Sequence, residues 1–286
     1  MKLFFRIIFK IFLILTILAG YATAAVIKET DSDALLNQGI ALLKKGQYDL
    51  SINYFNKAIE INPRYADAYN NRGLAHGMGK GQYDKAISDF KKAIEINPSF
   101  AEAYSNCGII CRRKGQHNKA IADFTNAIEI NSRFAMFYNN RGLVYEEKGQ
   151  YDKAISDYNK AIKLNPKYAK AYNNRGIAHA IKGQYEKTIF DYNKAIEINP
   201  RYAKAYNNRG NAYYKKGQYE KTIFDYNKAI EINPRFAEAY NNRAFVYFYK
   251  RDYEKAWDDV YKALNLGYKV HPGFLNALRE ASGREK

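Results

Sequence analysis

The dipeptide Gly-Gln recurs along this 286-residue chain at a nearly constant interval. Its glycines are Gly46, Gly81, Gly115, Gly149, Gly183 and Gly217. Arg251-Asp252 takes the same place in a seventh copy. The first step is 35 residues long and the other five are 34. Self-similarity at this period indicates a row of small stacked units, each too small to bury its apolar residues alone.

Each copy carries two helical patterns on either side of the Gly-Gln turn. In the sixth copy the apolar spacing predicts helices over about 203–216 and about 220–232, and Asn233-Pro234 ends the second. The longer step falls in the second copy, where residues 76–81 are predicted to hold one extra residue in a turn. The sequence therefore predicts seven helical hairpins.

Aromatic, small and proline residues also recur at fixed offsets. In the fourth copy they are Tyr138, Gly142, Tyr145, Ala154, Tyr158, Ala161 and Pro166. This pattern resembles the tetratricopeptide repeat family over about residues 32–270. Departures are Leu35 for the first aromatic of copy one, Ser132 for Pro in copy three and Ala244 for Gly in copy seven. The resemblance implies an all-α fold, an α-solenoid that forms a right-handed superhelix of seven hairpins.

The repeat frame divides most of the chain into units of 34 residues, except for the second, which has 35. The predicted repeats are 32–65, 66–100, 101–134, 135–168, 169–202, 203–236 and 237–270. Residues 271–286 are predicted to form a capping helix, because Pro272 suits a helix start and Phe274, Leu275 and Leu278 follow at helical spacing. Such a cap would cover the apolar face of the last hairpin.

The first 24 residues have the pattern of an export signal. Lys2, Arg6 and Lys10 precede a short apolar core, and Ala22-Thr23-Ala24 is a small-x-small cleavage pattern. We predict a signal peptide over 1–24, a linker over 25–31 and a periplasmic or secreted protein. An uncleaved anchor formed by residues 3–27, with the repeats facing outside, is the alternative, and only then would the chain contact a membrane.

The net charge is +17. Without the three basic residues of the leader, the chain has 43 basic and 29 acidic residues. This excess favours acidic partners, anionic lipid or nucleic acid. An export signal makes nucleic acid an unexpected partner. We predict protein or peptide partners, acidic segments among them.

A row of asparagines is the main candidate site. The resemblance implies that the first helices line a concave groove for partner peptides, and the residue two before the repeat's helical Gly, or Ala244 in the last copy, is always Asn. The predicted peptide-binding residues are Asn71, Asn106, Asn140, Asn174, Asn208 and Asn242, with Lys170, Lys204 and Phe245 beside them. Asn37 is the equivalent in copy one. A solvated surface copied by duplication is the alternative, because residues 182–201 and 216–235 are identical.

Tyr214, Phe248 and Tyr249 are expected to cluster with Phe245 as an aromatic anchor site. Packing against the capping helix explains about half of them equally well.

Catalytic and metal-binding patterns are weak. The four histidines are scattered, and acid pairs such as Asp225 with Glu231 are expected on outward faces. Cys107 and Cys111 lie four residues apart on one helix face, a poor geometry for a disulfide and too few ligands for structural zinc. We predict buried thiols, no cofactor, no stable metal and no enzymatic activity.

The sequence thus predicts a non-catalytic, protein-binding scaffold of the cell envelope. A basic surface protein that binds anionic lipid or polysaccharide is the alternative from another class. An accessory subunit of an envelope enzyme complex is a third possibility.

Overall fold

The computed structural model describes residues 31–79 and 81–284. The predicted signal peptide, the anchor alternative and nearly all of the predicted linker lie outside the described residues. Within the described ranges, no helix is long and apolar enough to cross a membrane.

The described residues from Asp31 to Ser132 form one compact unit of three helical hairpins. The first helix, α1, occupies residues 31–44. It is followed by α2 (Tyr48–Ile61), α3 (Ala66–Leu74), α4 (Tyr83–Ile96), α5 (Ala101–Arg113) and α6 (His117–Ile130). We call this part the amino-terminal unit.

Residues from Arg133 onward form a second compact unit of four hairpins and one terminal helix. Its helices are α7 (Ala135–Glu147), α8 (Tyr151–Leu164), α9 (Ala169–Ile181), α10 (Tyr185–Ile198), α11 (Ala203–Lys215), α12 (Tyr219–Ile232), α13 (Ala237–Tyr249), α14 (Tyr253–Asn265) and α15 (Pro272–Ser282). We call this part the carboxy-terminal unit. The prediction of an all-α chain of seven hairpins and a capping helix is confirmed.

The turn inside each hairpin depends on a residue in the left-handed backbone region. Gly217, between α11 and α12, has φ 70°, and the other Gly-Gln glycines have similar values. Glycine adopts this conformation without the steric cost that a Cβ brings. In the last hairpin Arg251 takes it with φ 61°, so the fold tolerates a side chain at this position at some cost in backbone strain.

Within each of the first six hairpins the two helices touch at a helical glycine. A Cβ on Gly210 of α11 would lie 2.7 Å from Cε1 of Tyr226 on α12, too close without a shift of the ring. Gly142 and Gly176 face Tyr158 and Tyr192 in the same way. The missing side chain thus lets a fully buried aromatic ring fill the hairpin, which explains why the family pattern pairs a glycine with an aromatic.

The extra residue of the second copy is absorbed within a helix. Ala75–Gly79 continue α3 as a π-helical turn, with Ala75 and Gly77 buried. A π-turn accommodates one additional residue without changing the direction of the chain. The prediction of an insertion is correct, but its expected place in a loop is wrong.

The terminal helix α15 covers the apolar end of the last hairpin. Phe274 and Leu278 are buried against α13 and α14, and Trp257 of α14 donates from Nε1 to the Ser282 hydroxyl at 3.0 Å. His271 caps the start of α15 by accepting from the Gly273 amide. The helix therefore shields core side chains that an eighth repeat would otherwise cover.

Candidate functional site

The predicted Asn row is the outer half of a hydrogen-bonded ladder. The residue before each of these asparagines is usually a second, buried Asn. The Nδ2 groups of Asn174, Asn208 and Asn242 donate to Oδ1 of the buried Asn of the preceding repeat at 3.0 to 3.1 Å. In the amino-terminal unit Asn106 donates to Asn70 at 2.9 Å. The row thus ties successive first helices together.

Two members of the row are bonded differently. Asn71 donates to the Asp67 carbonyl of its own helix at 2.8 Å, and Asn140 accepts from Asn139 at 3.5 Å. All six predicted asparagines are half-buried. Each amide has two N–H donors and an oxygen with two lone pairs, so a ladder bond leaves capacity for a ligand. Sequence analysis missed the structural half of this role, although the recurring Asn-Asn dipeptide was its signal.

The other predicted site residues divide into two groups. Lys170 and Lys204 are exposed near the starts of α9 and α11, one repeat apart. Phe245 stacks on Phe274 of the capping helix with ring centroids 3.8 Å apart. The structure therefore places Phe245 partly in the cap packing that was the alternative for this cluster.

Two pockets of the carboxy-terminal unit lie between successive first helices. The first, of about 320 Å³, combines Asn208 and Asn211 with the apolar side chains of Ile177 and Ile181 and with the ammonium of Lys215. The second, of about 260 Å³, lies one repeat further on. Its lining is Asn211, Tyr214, Tyr226, Asn242, Phe245 and Tyr249.

The second pocket has an aromatic wall with one exposed edge. Tyr249 is 57% exposed, and its ring lies 6.1 Å from that of Tyr214 between centroids. Burial and a hydrogen bond with Tyr249 raise the pKa of Tyr214 to about 12, so the Tyr214 phenol is a neutral donor at physiological pH. The pocket can therefore take an apolar or aromatic side chain with amides at its edge.

A buried ion pair that joins the two helices of a hairpin was not predicted from the sequence. Arg209 of α11 binds Asp225 of α12 through two bonds of 2.8 and 2.6 Å, and its third nitrogen donates to Asn193 of the preceding repeat at 2.7 Å. The same bidentate pair occurs as Arg72–Asp89, Arg141–Asp157, Arg175–Asp191 and Arg243–Asp259.

The expectation that Asp225 lies on an outward face is therefore wrong, since its carboxylate is buried against Arg209. The sequence contained a signal for this pair. In five repeats the Asn of the row is followed directly by an Arg, and an Asp lies 16 residues after that Arg. The pair also raises the pKa of its arginine. In repeat four, the hydrogen bonds that Arg141 donates to Asp157 raise the pKa of Arg141, with burial acting in the opposite direction.

Repeat three lacks the arginine but keeps the aspartate. Cys107 stands at the arginine position, and Cys111 stands one turn later, where His179 stands in repeat five. Both cysteines are buried, as predicted. One ligand atom each from Cys107, Cys111 and Asp123 of α6 lie within 4.8 Å of one another. Burial raises the pKa of Asp123, and thiol hydrogen bonds and the charges of Lys91 and Lys119 only partly oppose it.

His76 and His179 are each held by the glutamine of the Gly-Gln turn in their own hairpin. His179 Nδ1 lies 2.8 Å from Gln184 Oε1, and its Nε2 lies 3.9 Å from Asp191. His76 has the same two neighbours in repeat two, Gln82 and Asp89. Burial lowers the pKa of both imidazoles despite the nearby carboxylate. These contacts hold both imidazole rings inside their hairpins.

Comparison with known families matches this repeat geometry. Models described as tetratricopeptide repeat match residues 135–168, 203–236, 157–190 and 225–258. A model described as TPR repeat matches 39–79, 78–111, 109–149 and 178–217, more than half of the chain. The chain belongs to the tetratricopeptide repeat family. Members of this family generally serve as protein-binding scaffolds.

Solved tetratricopeptide structures share the fold. A tetratricopeptide repeat protein from Parabacteroides merdae is 20% identical, with a TM-score of 0.66 over 89% of this chain and 100% of that one. YrrB, described as having an unusual peptide-binding site, is 26% identical over 65% of this chain and 95% of its own, with a TM-score of 0.52. MamA is 29% identical over 57% and 96%, with a TM-score of 0.52.

A curated relative covers only a short stretch. An uncharacterized protein of Methanocaldococcus jannaschii is 47% identical over 38 residues, which are 13% of this chain and 44% of that protein. A match of about one repeat says nothing of a shared function or partner.

Proposed function

We propose that this tetratricopeptide protein is a non-catalytic scaffold of the cell envelope that holds an extended, acidic peptide segment of a partner protein. The segment would lie along α9, α11 and α13. The observation that carries the proposal is the pair of pockets between these helices, in which Asn208, Asn211 and Asn242 sit beside apolar and aromatic walls.

The chemistry of these pockets suits a peptide backbone. A side-chain amide both donates and accepts, so amides at one-repeat spacing can pair with an extended chain independently of its sequence. Specificity would come from the pocket of Tyr214 and Tyr249, which takes an apolar side chain. Lys170 and Lys204 add positive charge at the edge of the same helices and would attract acidic residues of the segment.

The sharpest test changes charge without disturbing the ladder. Replacing Asn174 or Asn208 by Ala would strand the buried oxygens of Asn139 and Asn173, so loss of binding would be ambiguous. The double variant Lys170→Glu/Lys204→Glu alters only exposed residues. Crosslinked pull-down from envelope extract should capture discrete proteins with the wild type and lose them with this variant.

A matched control carries the same change of charge on the second helices. Lys187→Glu/Lys221→Glu alters exposed residues of α10 and α12 and should capture the same proteins as the wild type. Equal loss in both variants would show that net charge, and not the surface of the first helices, drives capture. Circular dichroism of all three proteins confirms that they are folded.

One observation favours the second candidate function, binding to anionic lipid or polysaccharide. Phe190 and Phe224 are more than half exposed at equivalent positions of α10 and α12, three residues after Lys187 and Lys221. Exposed apolar rings beside lysines are typical of surfaces that bind membranes. Vesicles of anionic lipid should be bound by the wild type and released by Lys187→Glu/Lys221→Glu if this function holds, and raised salt should weaken it strongly.

The envelope location rests on the predicted leader and is tested separately. We expect cell fractionation to place the full chain in the envelope and a chain lacking residues 1–24 in the cytoplasm. Equal distribution of both would contradict export and leave the peptide-binding proposal to stand on the pull-down.

A further inference from the structure

The cysteine cluster of repeat three lies at the position where five other repeats carry an arginine. Cys107 and Cys111 lie on α5, and Asp123 lies opposite them on α6. In repeat five the equivalent positions are Arg175, His179 and Asp191, with a bidentate ion pair between the first and the last. Repeat three has exchanged both partners of its aspartate for thiols while keeping the aspartate.

This exchange leaves the half-buried Asp123 carboxylate without the guanidinium that stabilises its counterparts. A buried carboxylate costs free energy unless it is paired, protonated or bound to a cation. Lys91 and Lys119 act on Asp123 only through charge and not through the bidentate contact seen elsewhere. Two soft sulfur ligands and one carboxylate oxygen around the vacated arginine position form a ligand set that suits zinc-group ions.

The spacing of the three groups fits a metal better than a disulfide. Residues four apart on a helix have Cβ atoms about 5–6 Å apart, whereas a disulfide needs about 3.5–4.5 Å. A tetrahedral ion with bonds of about 2.3 Å to sulfur holds its ligands roughly 3.8 Å apart. The observed ligand atoms, within 4.8 Å of one another, reach that distance by small rotamer changes.

The surroundings leave room for a fourth ligand. A pocket of about 370 Å³ opens beside the cluster and is lined by Ile87, Tyr104 and Gln116 among other residues of α4, α5 and α6. Sites with three protein ligands commonly keep a fourth position for water or another ligand. Lys91 and Lys119 also line this pocket, so their charges offset the excess negative charge of two thiolates and a carboxylate.

We propose that Cys107, Cys111 and Asp123 bind a thiophilic divalent ion of the zinc group, with its fourth coordination position open to this pocket. On binding, the ion exchanges water for the protein ligands and the two thiols release their protons to solvent. Sequence analysis excluded a stable metal because it counted only the two cysteines. The hairpin adds the third ligand from 12 residues further along the chain.

Titration of the reduced full chain with Cd²⁺ tests the site directly. Cd²⁺ bound to thiolates absorbs in the ultraviolet, and the absorbance should saturate at one equivalent with the intensity of two thiolates. Co²⁺, a spectroscopic substitute for zinc, should show the visible bands of a tetrahedral site. Quantification of free thiols before the titration ensures that both cysteines are reduced.

Variants separate the three ligands. Cys107→Ser/Cys111→Ser should abolish the ultraviolet band. Asp123→Asn should keep the two thiolates but bind Cd²⁺ at least about tenfold more weakly, because even indirect partners of metal ligands contribute about 10–100-fold. Asp157→Asn makes the same change at the equivalent position of repeat four, where no cysteines lie, and should leave Cd²⁺ affinity unchanged.

Cys107→Arg keeps the result interpretable if a serine variant folds poorly. It restores the residue of five other repeats, so it should fold like the wild type by circular dichroism while losing the two-thiolate band. Absence of a thiolate band in the reduced wild type would overturn the proposal. Equal Cd²⁺ affinity in the wild type and Asp123→Asn would also overturn it, since the carboxylate would then not be a ligand.

Discussion

Repeats three and five place different chemistry on the same backbone. In repeat five Asp191 is held by Arg175 through two hydrogen bonds of 2.9 and 2.6 Å, and the guanidinium reaches Asn159 of the preceding repeat. In repeat three Asp123 faces two thiols instead. Both hairpins nevertheless form with the same helix lengths and the same turn. The ion pair is therefore a replaceable addition to a fold that glycine–aromatic contacts already specify.

The largest expected effect comes from removing the arginine where it is present. Arg209→Ala leaves the Asp225 carboxylate, which is 1% exposed, without its bidentate partner. Breaking a buried pair in this way costs about 3–5 kcal/mol, because the remaining charge is uncompensated. Urea unfolding, combined with amide hydrogen exchange in α11 and α12, measures the loss and shows whether it is local to repeat six.

A double variant shows whether the stranded charge is the cause. Arg209→Met/Asp225→Leu removes both charges and fills the space, so most of the stability lost in Arg209→Ala should return. Arg201→Ala, on the exposed turn before α11, should change the free energy of unfolding by less than about 0.5 kcal/mol. A loss below about 1 kcal/mol for Arg209→Ala would mean that Asp225 finds another partner.

The converse change brings repeat three closer to repeat five. Cys107→Arg should supply Asp123 with the missing guanidinium and stabilise the protein by about 1.5–3 kcal/mol, the usual contribution of hydrogen bonds to charged groups. The adjoining pocket of about 370 Å³ gives the longer side chain room. Thermal and urea unfolding of metal-free protein provide the measurement. Destabilisation by this change would show that repeat three has repacked around its thiols.

Acid should destabilise the protein partly through His76 and His179. Burial lowers the pKa of both in the folded state, so the unfolded state binds more protons in the window from the lowered pKa values up to about 6.5. Their contribution is present above that window and is lost as pH falls through it, by at most about 1.4 kcal/mol per pH unit for each proton.

Repeats four and six suggest the variant that tests this pH dependence. They carry Tyr145 and Tyr213 at the position of His179. His179→Tyr should therefore reduce the slope of unfolding free energy against pH, while His76 continues to contribute. Urea midpoints measured across the acidic range give the slope. An unchanged slope would mean that the imidazole of His179 does not titrate in this window.

The smallest effect is expected for the ion pairs at the surface of the stack. Lys182 at the end of α9 bonds Asp152 at the start of α8, whose side chain is 85% exposed. Water and salt screen such a pair, so Asp152→Asn should change the free energy of unfolding by no more than about 0.5 kcal/mol. A larger loss, removed by added salt, would show that the surface pairs act together as a network.

Much of the fold could be predicted because every copy repeats the same local signals. Helix limits in repeat six differ from the predicted ones by one residue, since glycine and Asn-Pro punctuate the pattern clearly. The π-turn of repeat two could not be placed, because a single extra residue fits either a loop or a widened helix. Its position depends on how Gly77 packs against Ala86 and Ile110.

The candidate sites were less predictable because they join residues far apart in sequence. The Asn row was found, but its bonds to the buried asparagines run between residues about 35 apart and were missed. The recurring 16-residue spacing between Arg and Asp did not predict the buried ion pair, because charged residues of helices are usually solvated. The third residue of the proposed metal site, Asp123, lies on α6 and comes close to Cys107 and Cys111 only because the turn brings α6 back onto α5.

The hydrogen bond from an arginine to an asparagine of the preceding repeat bears on how such a chain can lengthen by duplication of a repeat. Arg175, Arg209 and Arg243 each donate to an asparagine one hairpin earlier, so repeats five and six each supply both the donor for their predecessor and the acceptor for their successor. Copying either of these units therefore leaves no such bond unmatched at either junction. The identical stretches 182–201 and 216–235 carry the trace of such a duplication, which added length to the protein without requiring any compensating mutation.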